Sequence, residues 1–342
     1  MFCLVPEIQT VAPATSTRAT ANTLRLVPIT ESLSHKEYYP RPMTLVELER
    51  ALSLARLGSD WVALIAQYFD CHELDFGHGT DNSGDEAYWL LRYLQGWDNA
   101  AWERAPDPAL IPGLSKIIQR RVAERKPLAY LLGEAWFAGL RFVVDERVLV
   151  PRSPLAEIIG RGFEPWCRLR DGDRILDLGT GSGCLAVAAA HYCPGVVVDA
   201  VDISAAAIAV ARTNVAANNL ADRVRVFQSD LFAAVESRYR VIVSNPPYVP
   251  DSRLCGMPRE YSHEPKLALA GGPKGLSLVG EILAQSPQYL VDDGVLIMEV
   301  GEAYEAFTTE YARLPVTWLD FEHGGHGAFV LTRDELTGYL TG

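Results

Sequence analysis

The stretch Arg174-Ile-Leu-Asp-Leu178, closed by Gly179-Thr-Gly-Ser-Gly183, restricts this chain more than any other. A short apolar run that ends in glycines and continues into the alanine-rich Cys184 to Tyr192 reads as strand, tight turn and helix. The alternation then repeats. Val196 to Val201 is an expected strand ending at Asp202, Ala205 to Asn218 a helix, and Val224 to Phe227 a strand ending at Ser229-Asp230. Val241 to Val243 is a strand running into Asn245; Leu276 to Leu290 is helical, and Gly294 to Val300 is again a strand. A helix over 303–313 precedes a terminal hairpin of Thr317 to Phe321 and Ala328 to Leu331 around Gly324-Gly325. Such alternation predicts an α/β fold: a mostly parallel sheet with helices on both faces and an antiparallel terminal hairpin.

The chain upstream is organised differently. Residues 1–42 are rich in Thr, Ser, Ala and Pro without period and read as a disordered tail, which makes Met43 a candidate initiator. Residues 43–125 read as a small helical domain. Thr44-Leu-Val-Glu47 is a capping box, and Leu45, Leu48, Leu52 and Ala55 follow at helical spacing. Further helices are expected from about Asp60 to Phe69, after Asp85 as a cap, and through Leu114, Ile117, Ile118 and Val122. Residues 126–150, aromatic and β-branched around Gly139, read as a β-hairpin linker. The sheet-forming domain is then 151–342.

Composition narrows the function classes. The 342 residues carry a formal net charge of −12, which disfavours stable nucleic-acid binding and suits a basic protein partner. Six cysteines without a CxxC pair give neither a zinc ribbon nor a disulfide framework, and no metal is expected. No apolar run approaches the ~20 residues needed to span a bilayer, and no secretory signal is visible, so the expectation is a cytoplasmic protein without membrane contact.

Ligands of open α/β sheets sit at the carboxyl ends of the strands. Four polar signals fall at four such ends: Asp177 with Gly179, Thr180, Gly181, Ser182 and Gly183; then Asp202; then Asp230 with Leu231; then Asn245. The dinucleotide pattern GxGxxG is not met, and no GK[ST] is present to hold phosphates. Asp177 would repel a pyrophosphate and attract a cation, which fits the ammonium and sulfonium of S-adenosylmethionine. Asp202 is placed to accept from two ribose hydroxyls, and Asp230 from an adenine amino group with Leu231 packed on the base. Asn245-Pro-Pro-Tyr248 suits a planar –NH2: an amide oxygen and a proline carbonyl accept its hydrogens while the ring of Tyr248 covers its plane.

Asp177-Leu-Gly-Thr-Gly-Ser-Gly183 together with Asn245-Pro-Pro-Tyr248 resembles the class I methyltransferases that modify planar nitrogens. Among these the chain is similar, from about 43 to 335, to the protein-glutamine methyltransferases. The pieces that carry this are Phe76-Gly-His-Gly-Thr-Asp-Asn82, Asp145-Glu-Arg-Val-Leu-Val-Pro-Arg-Ser-Pro154 and Glu260-Tyr-Ser-His-Glu-Pro265. Members that act on release factors show Pro-Arg-Pro-Asp-Thr-Glu; here Pro151-Arg152 continues Ser153-Pro154-Leu155-Ala156-Glu157, which favours the branch acting on protein L(three) of the large ribosomal subunit. The resemblance implies a seven-stranded Rossmann-like sheet, a helical domain that docks the protein substrate, and S-adenosylmethionine as cofactor. It also implies a cofactor site at Gly179 to Gly183, Asp202, Leu231 and Asn245, with the glutamine amide held by Asn245, Pro246, Pro247 and Tyr248. Release factors or the amino group of an adenine base are the alternative acceptors, and a non-catalytic binding module is the alternative of another class. No residue presents itself as an obligatory base.

Overall fold

The computed structural model describes residues 42–96, 101–104 and 106–342. The tail expected over 1–42 therefore lies, but for Arg41's neighbour Pro42, outside the described residues.

Four helices open the described chain: α1 (Leu45–Leu54), α2 (Gly58–Cys71), α3 (Ser83–Gln95) and α4 (Ile111–Glu124). The Thr44–Glu47 capping box starts α1 as the sequence predicts, and satisfies the orphan N–H groups of its first turn. The cap of α3 is different from the expected one. Asn82, in extended backbone, accepts from Asp85 N at 2.8 Å, so Asp85 lies inside the first turn, where its charge favours the helix dipole. Leu48, Leu52, Trp61, Ile65, Phe69, Leu90, Leu114 and Ile118 are buried together as the helices' shared core.

The short α5 (Leu128–Leu132) leads into an antiparallel pair, β1 (Glu134–Phe137) and β2 (Leu140–Val143). This hairpin turns at Gly139 but spans only part of the aromatic stretch; 144–154 is extended chain and turn. After α6 (Leu155–Gly160) the alternation begins: β3 (Arg174–Leu178), α7 (Cys184–Tyr192), β4 (Val197–Asp202), α8 (Ala205–Ala217), β5 (Val224–Gln228) and β6 (Tyr239–Ser244). A long connection carries α9 (Asp251–Leu254) and α10 (Lys266–Leu269) before α11 (Ser277–Tyr289), β7 (Leu290–Glu299), α12 (Tyr304–Glu310), β8 (Thr317–Trp318), β9 (Ala328–Thr332) and α13 (Arg333–Thr341).

The seven-stranded sheet has the order β5-β4-β3-β6-β7-β9-β8. Its first five strands are parallel, and β9 and β8 run antiparallel, so the α/β class and the terminal hairpin stand as predicted. The expected helix over 303–313 is shorter, and α13 closes the chain beyond the hairpin where no helix is expected. Central strands covered on both faces are largely apolar, and β3 is buried from Ile175 to Leu178 with Asp177 as the exception among those four. Strand order reverses between β3 and β6, and the crevice at that point is where a doubly wound sheet takes its ligand.

Candidate functional site

A cavity of about 200 Å³ opens at this reversal, over the carboxyl ends of β3, β4, β5 and β6. Its floor is the turn after β3. Gly179, Gly181 and Gly183 all take left-handed backbone (φ 72°, 54° and 82°), and a Cβ at Gly179 or Gly181 would stand in open space. Two amides of the turn, Gly179 N and Thr180 N, donate to Val201 O, each at 2.9 Å, which locks it to β4. Asp202 completes the lock: its Oδ2 accepts from Gly181 N at 2.9 Å and its Oδ1 from Ser204 N at 2.8 Å. Burial raises the Asp202 carboxyl above its usual range, against these two N–H groups.

Of the residues singled out in the sequence, Gly179, Thr180, Gly181, Ser182, Asp202, Asp230, Leu231 and Asn245 border this cavity, as does Pro247. Asp177 and Gly183 do not. Asp177 lies fully buried beneath the turn, where its Oδ2 accepts from Thr180 Oγ1 at 2.6 Å and from Ala186 N at 3.1 Å. Burial pushes it up to about 7, the hydroxyl and the amide pulling the other way. Its Oδ1 has no hydrogen-bond partner. Gly183 instead meets Ala211 of α8, so its role is close helix packing.

A smaller slot of about 90 Å³ adjoins the cavity and shares Leu149, Arg152, Asn245 and Ala268 with it. Asn245, Pro246 and Tyr248 line this slot. Asn245 Nδ2 donates to Arg152 O at 3.4 Å, a long bond that turns Oδ1 the other way. The Tyr248 ring packs against Gly301 (φ 39°), where any Cβ would overlap its hydroxyl end. The slot opens outward, through Met257, Tyr261 and Glu302, into a cleft of about 370 Å³ between Asp75-Phe76 and the 249–275 connection.

Residues without a role in the sequence reading prove central to this geometry. The 147–153 loop forms one wall of both cavity and slot. Glu264 pins that loop: its oxygens accept from Arg152 Nη1 at 2.7 Å, Arg152 Nη2 at 2.5 Å and Val150 N at 3.1 Å. Glu260 ties the same connection to the helices. It accepts from Arg121 Nη1 at 3.1 Å, while Arg121 Nε donates to Glu86 at 2.6 Å and its Nη2 to Asp75 O at 2.7 Å. His78 packs its ring 4.5 Å from that of Tyr261; neither nitrogen is hydrogen-bonded, and Nε2 stands 3.6 Å from Glu264 Oε2. Ile203, next to Asp202 and 48 % exposed, offers an apolar face opposite Leu231. The only advance signal for the loop and for the two glutamates is that their segments carry the family resemblance.

Comparison with known proteins agrees with this architecture. Residues 167–255 match the family model described as methyltransferase small domain. A ribosomal protein uL3 glutamine methyltransferase of Bordetella pertussis is 45% identical over 266 residues, covering 76% of this chain and 89% of that protein. The protein of the same description from Xylella fastidiosa strain 9a5c is 42% identical over 307 residues, covering 86% of this chain and 94% of its own length. That from Xanthomonas campestris is 43% identical over 299 residues, covering 85% and 93%. Strand order, glycine turn and sequence identity over most of its length agree: the chain belongs to the family of ribosomal protein uL3 glutamine methyltransferases.

Proposed function

We propose that this protein transfers a methyl group from S-adenosylmethionine to the side-chain amide nitrogen of a glutamine in ribosomal protein uL3. The observation that carries the reading is the shared wall of cavity and slot: Asn245 borders both, so an amide in one is presented to a donor in the other. When bound, S-adenosylmethionine supplies a methyl group already activated by a sulfonium.

The cavity's residues suit that cofactor. Asp202 would accept from the two ribose hydroxyls, and Ile203 and Leu231 would enclose the base, with Asp230 near its amino edge. Thr180, Ser182 and the open faces of Gly179 and Gly181 would cradle the methionine end. The unpartnered Asp177 Oδ1 leaves negative potential beneath the turn, which favours a cation there.

A glutamine amide nitrogen is a weak nucleophile, because its lone pair is delocalised into the carbonyl. Asn245 Oδ1 and the Pro246 carbonyl would accept its two hydrogens and aim the lone pair at the methyl. Pro247 would stiffen the turn, and Tyr248 would cover the amide plane and exclude water. Positioning of this kind recovers roughly 7–11 kcal/mol of barrier when reactants are well aligned. The excess proton leaves to water. The helical segment 43–125 would grip the acceptor protein, with the residues flanking the glutamine in the outer cleft. A net charge of −12 suits a basic acceptor.

The test is transfer of labelled methyl to purified uL3, a peptide-chain release factor and nucleic acid in parallel. Label on uL3, as one added methyl on a glutamine, is the expected result. Label confined to the release factor or to adenine would sink the assignment.

A further inference from the structure

Two segments that border the slot, the 147–153 loop through Leu149 and Arg152 and the turn after β6 through Tyr248, come from distant parts of the chain and are joined by one carboxylate, the loop through Ser153 beside Arg152. Glu299, the last residue of β7, is 4 % exposed. Its Oε1 accepts from the Tyr248 hydroxyl at 3.0 Å and its Oε2 accepts from Ser153 Oγ at 2.6 Å. Ser153 Oγ itself accepts from Leu155 N at 3.2 Å, so its single proton is committed to Glu299. Tyr248 belongs to the turn after β6 and Ser153 to the 147–153 loop. Glu299 borders neither the cavity nor the slot and has no direct access to a bound substrate.

We propose that Glu299 is a positioning residue for methyl transfer: its ionised carboxylate holds Tyr248 and Ser153 at once and thereby sets the width of the acceptor slot. The inference rests on the reading of 245–248 as the amide holder. Two donors need two acceptor oxygens, and only the carboxylate supplies both. A neutral carboxyl carries a proton on one oxygen and must donate it, so one of the two hydroxyls loses its acceptor in a buried place. The tyrosine ring, already packed against Gly301, then swings free at its tip.

The surroundings leave this carboxylate poised. Burial pushes Glu299 up to about 7, with Ser153, Tyr248 and the Arg152 guanidinium pulling the other way. Glu302 acts on the Tyr248 hydroxyl from the following turn and raises its pKa further, as burial and Glu299 itself already do. Arg152 acts on Glu299 through its charge, while its two terminal nitrogens donate to Glu264. Slot geometry therefore depends on pH close to neutrality.

The experiment is steady-state methylation of uL3 by the full-length chain between pH 5.5 and 9, alongside calorimetry with S-adenosylhomocysteine and thermal melting. Wild-type kcat is expected to fall on the acid side, with a midpoint near 7. Glu299→Gln should lower kcat at pH 8 by about 10–150-fold, the worth of a hydrogen bond to a charged group. Its affinity for S-adenosylhomocysteine should fall by less than kcat, since of the two groups Glu299 holds only Ser153 borders that cavity. Its acid limb should vanish, and Glu299→Asp should recover part of both rate and limb. Wild-type kcat in Glu299→Gln, or an unchanged acid limb, overturns the inference. Should that variant fail to melt cooperatively, Tyr248→Phe and Ser153→Ala each remove one donor and should each move the limb to higher pH; a limb unmoved in both overturns it equally. Failure of the wild-type chain to methylate uL3 would instead overturn the proposed function, which separates the two.

Discussion

Glu264 grips Arg152 through both carboxylate oxygens, at 2.7 and 2.5 Å, across more than a hundred residues of chain. The side chain of Glu264 has no exposure, and the same Oε1 also accepts from Val150 N. Arg152 lies 5.4 Å over the Tyr261 ring, so one guanidinium carries a fork, a stacking contact and a wall of the slot.

Glu264→Gln should therefore destabilise the fold by about 3–5 kcal/mol, because it strands a buried guanidinium without counter-charge. Urea unfolding measures this. The affinity for S-adenosylhomocysteine should fall with it, as the 147–153 wall loosens. An unchanged unfolding midpoint would show the fork to be dispensable.

Arg121→Met is expected to cost a similar amount, about 3–5 kcal/mol. It leaves buried Glu86 without its arginine and buried Glu260 with only Arg125, at 3.4 Å, as counter-charge. The KM for uL3 should rise more than the KM for S-adenosylmethionine, since the pair joins the helices to the 249–275 connection and touches no part of the cofactor cavity. Equal changes in the two constants would contradict this division.

Two substitutions should split binding from chemistry. Asp202→Ala removes a carboxylate from the cavity and should weaken S-adenosylhomocysteine by about 10–150-fold in calorimetry. Asn245→Ala should bind it nearly normally and transfer methyl at least ~100-fold more slowly, as one positioned acceptor is lost. Wild-type turnover in Asn245→Ala would remove that residue from the mechanism.

Acid sensitivity should trace in part to His78. Burial, helped by Arg152 and Arg121, holds its imidazole down at about 2, although Glu264 Oε2 stands 3.6 Å from Nε2. The unfolded chain takes up a proton near 6.5 and the folded chain does not. Stability is thus complete above 6.5 and falls as pH drops below it, by at most about 1.4 kcal/mol per unit. His78→Phe keeps a ring against Tyr261 and should flatten the decline between pH 6.5 and 5, read from urea midpoints. The same slope in both proteins would acquit His78.

The residues that gather at the strand-end cavity are legible in the sequence because their signals are local. A glycine turn follows each requirement of strand-to-helix geometry within a few residues, and Asp202, Asp230 and Asn245 each end a readable strand. What escapes is long-range pairing. Glu299 meets Ser153 across 146 positions, and Glu260 meets Arg121 across 139, and neither pair leaves a periodic trace. Asp177 illustrates a subtler limit: spacing places it at the strand end but cannot tell that its carboxylate points under the turn. Asp85 was a plausible cap by residue type, yet Asn82 holds the extended conformation that a cap requires. The closing helix α13 begins with its own capping box at Thr332 and Glu335, directly after a strand without an intervening loop, which hides its start.

The long connection between β6 and α11 has one further consequence. Its Glu260 is matched to an arginine of the helices and its Glu264 to an arginine of the extended loop. Replacing the helical segment alone would take Arg121 from Glu260, and replacing the connection alone would take Glu264 from Arg152. A graft into this chain should therefore preserve its fold only when the helices, the 147–153 loop and this connection are exchanged together.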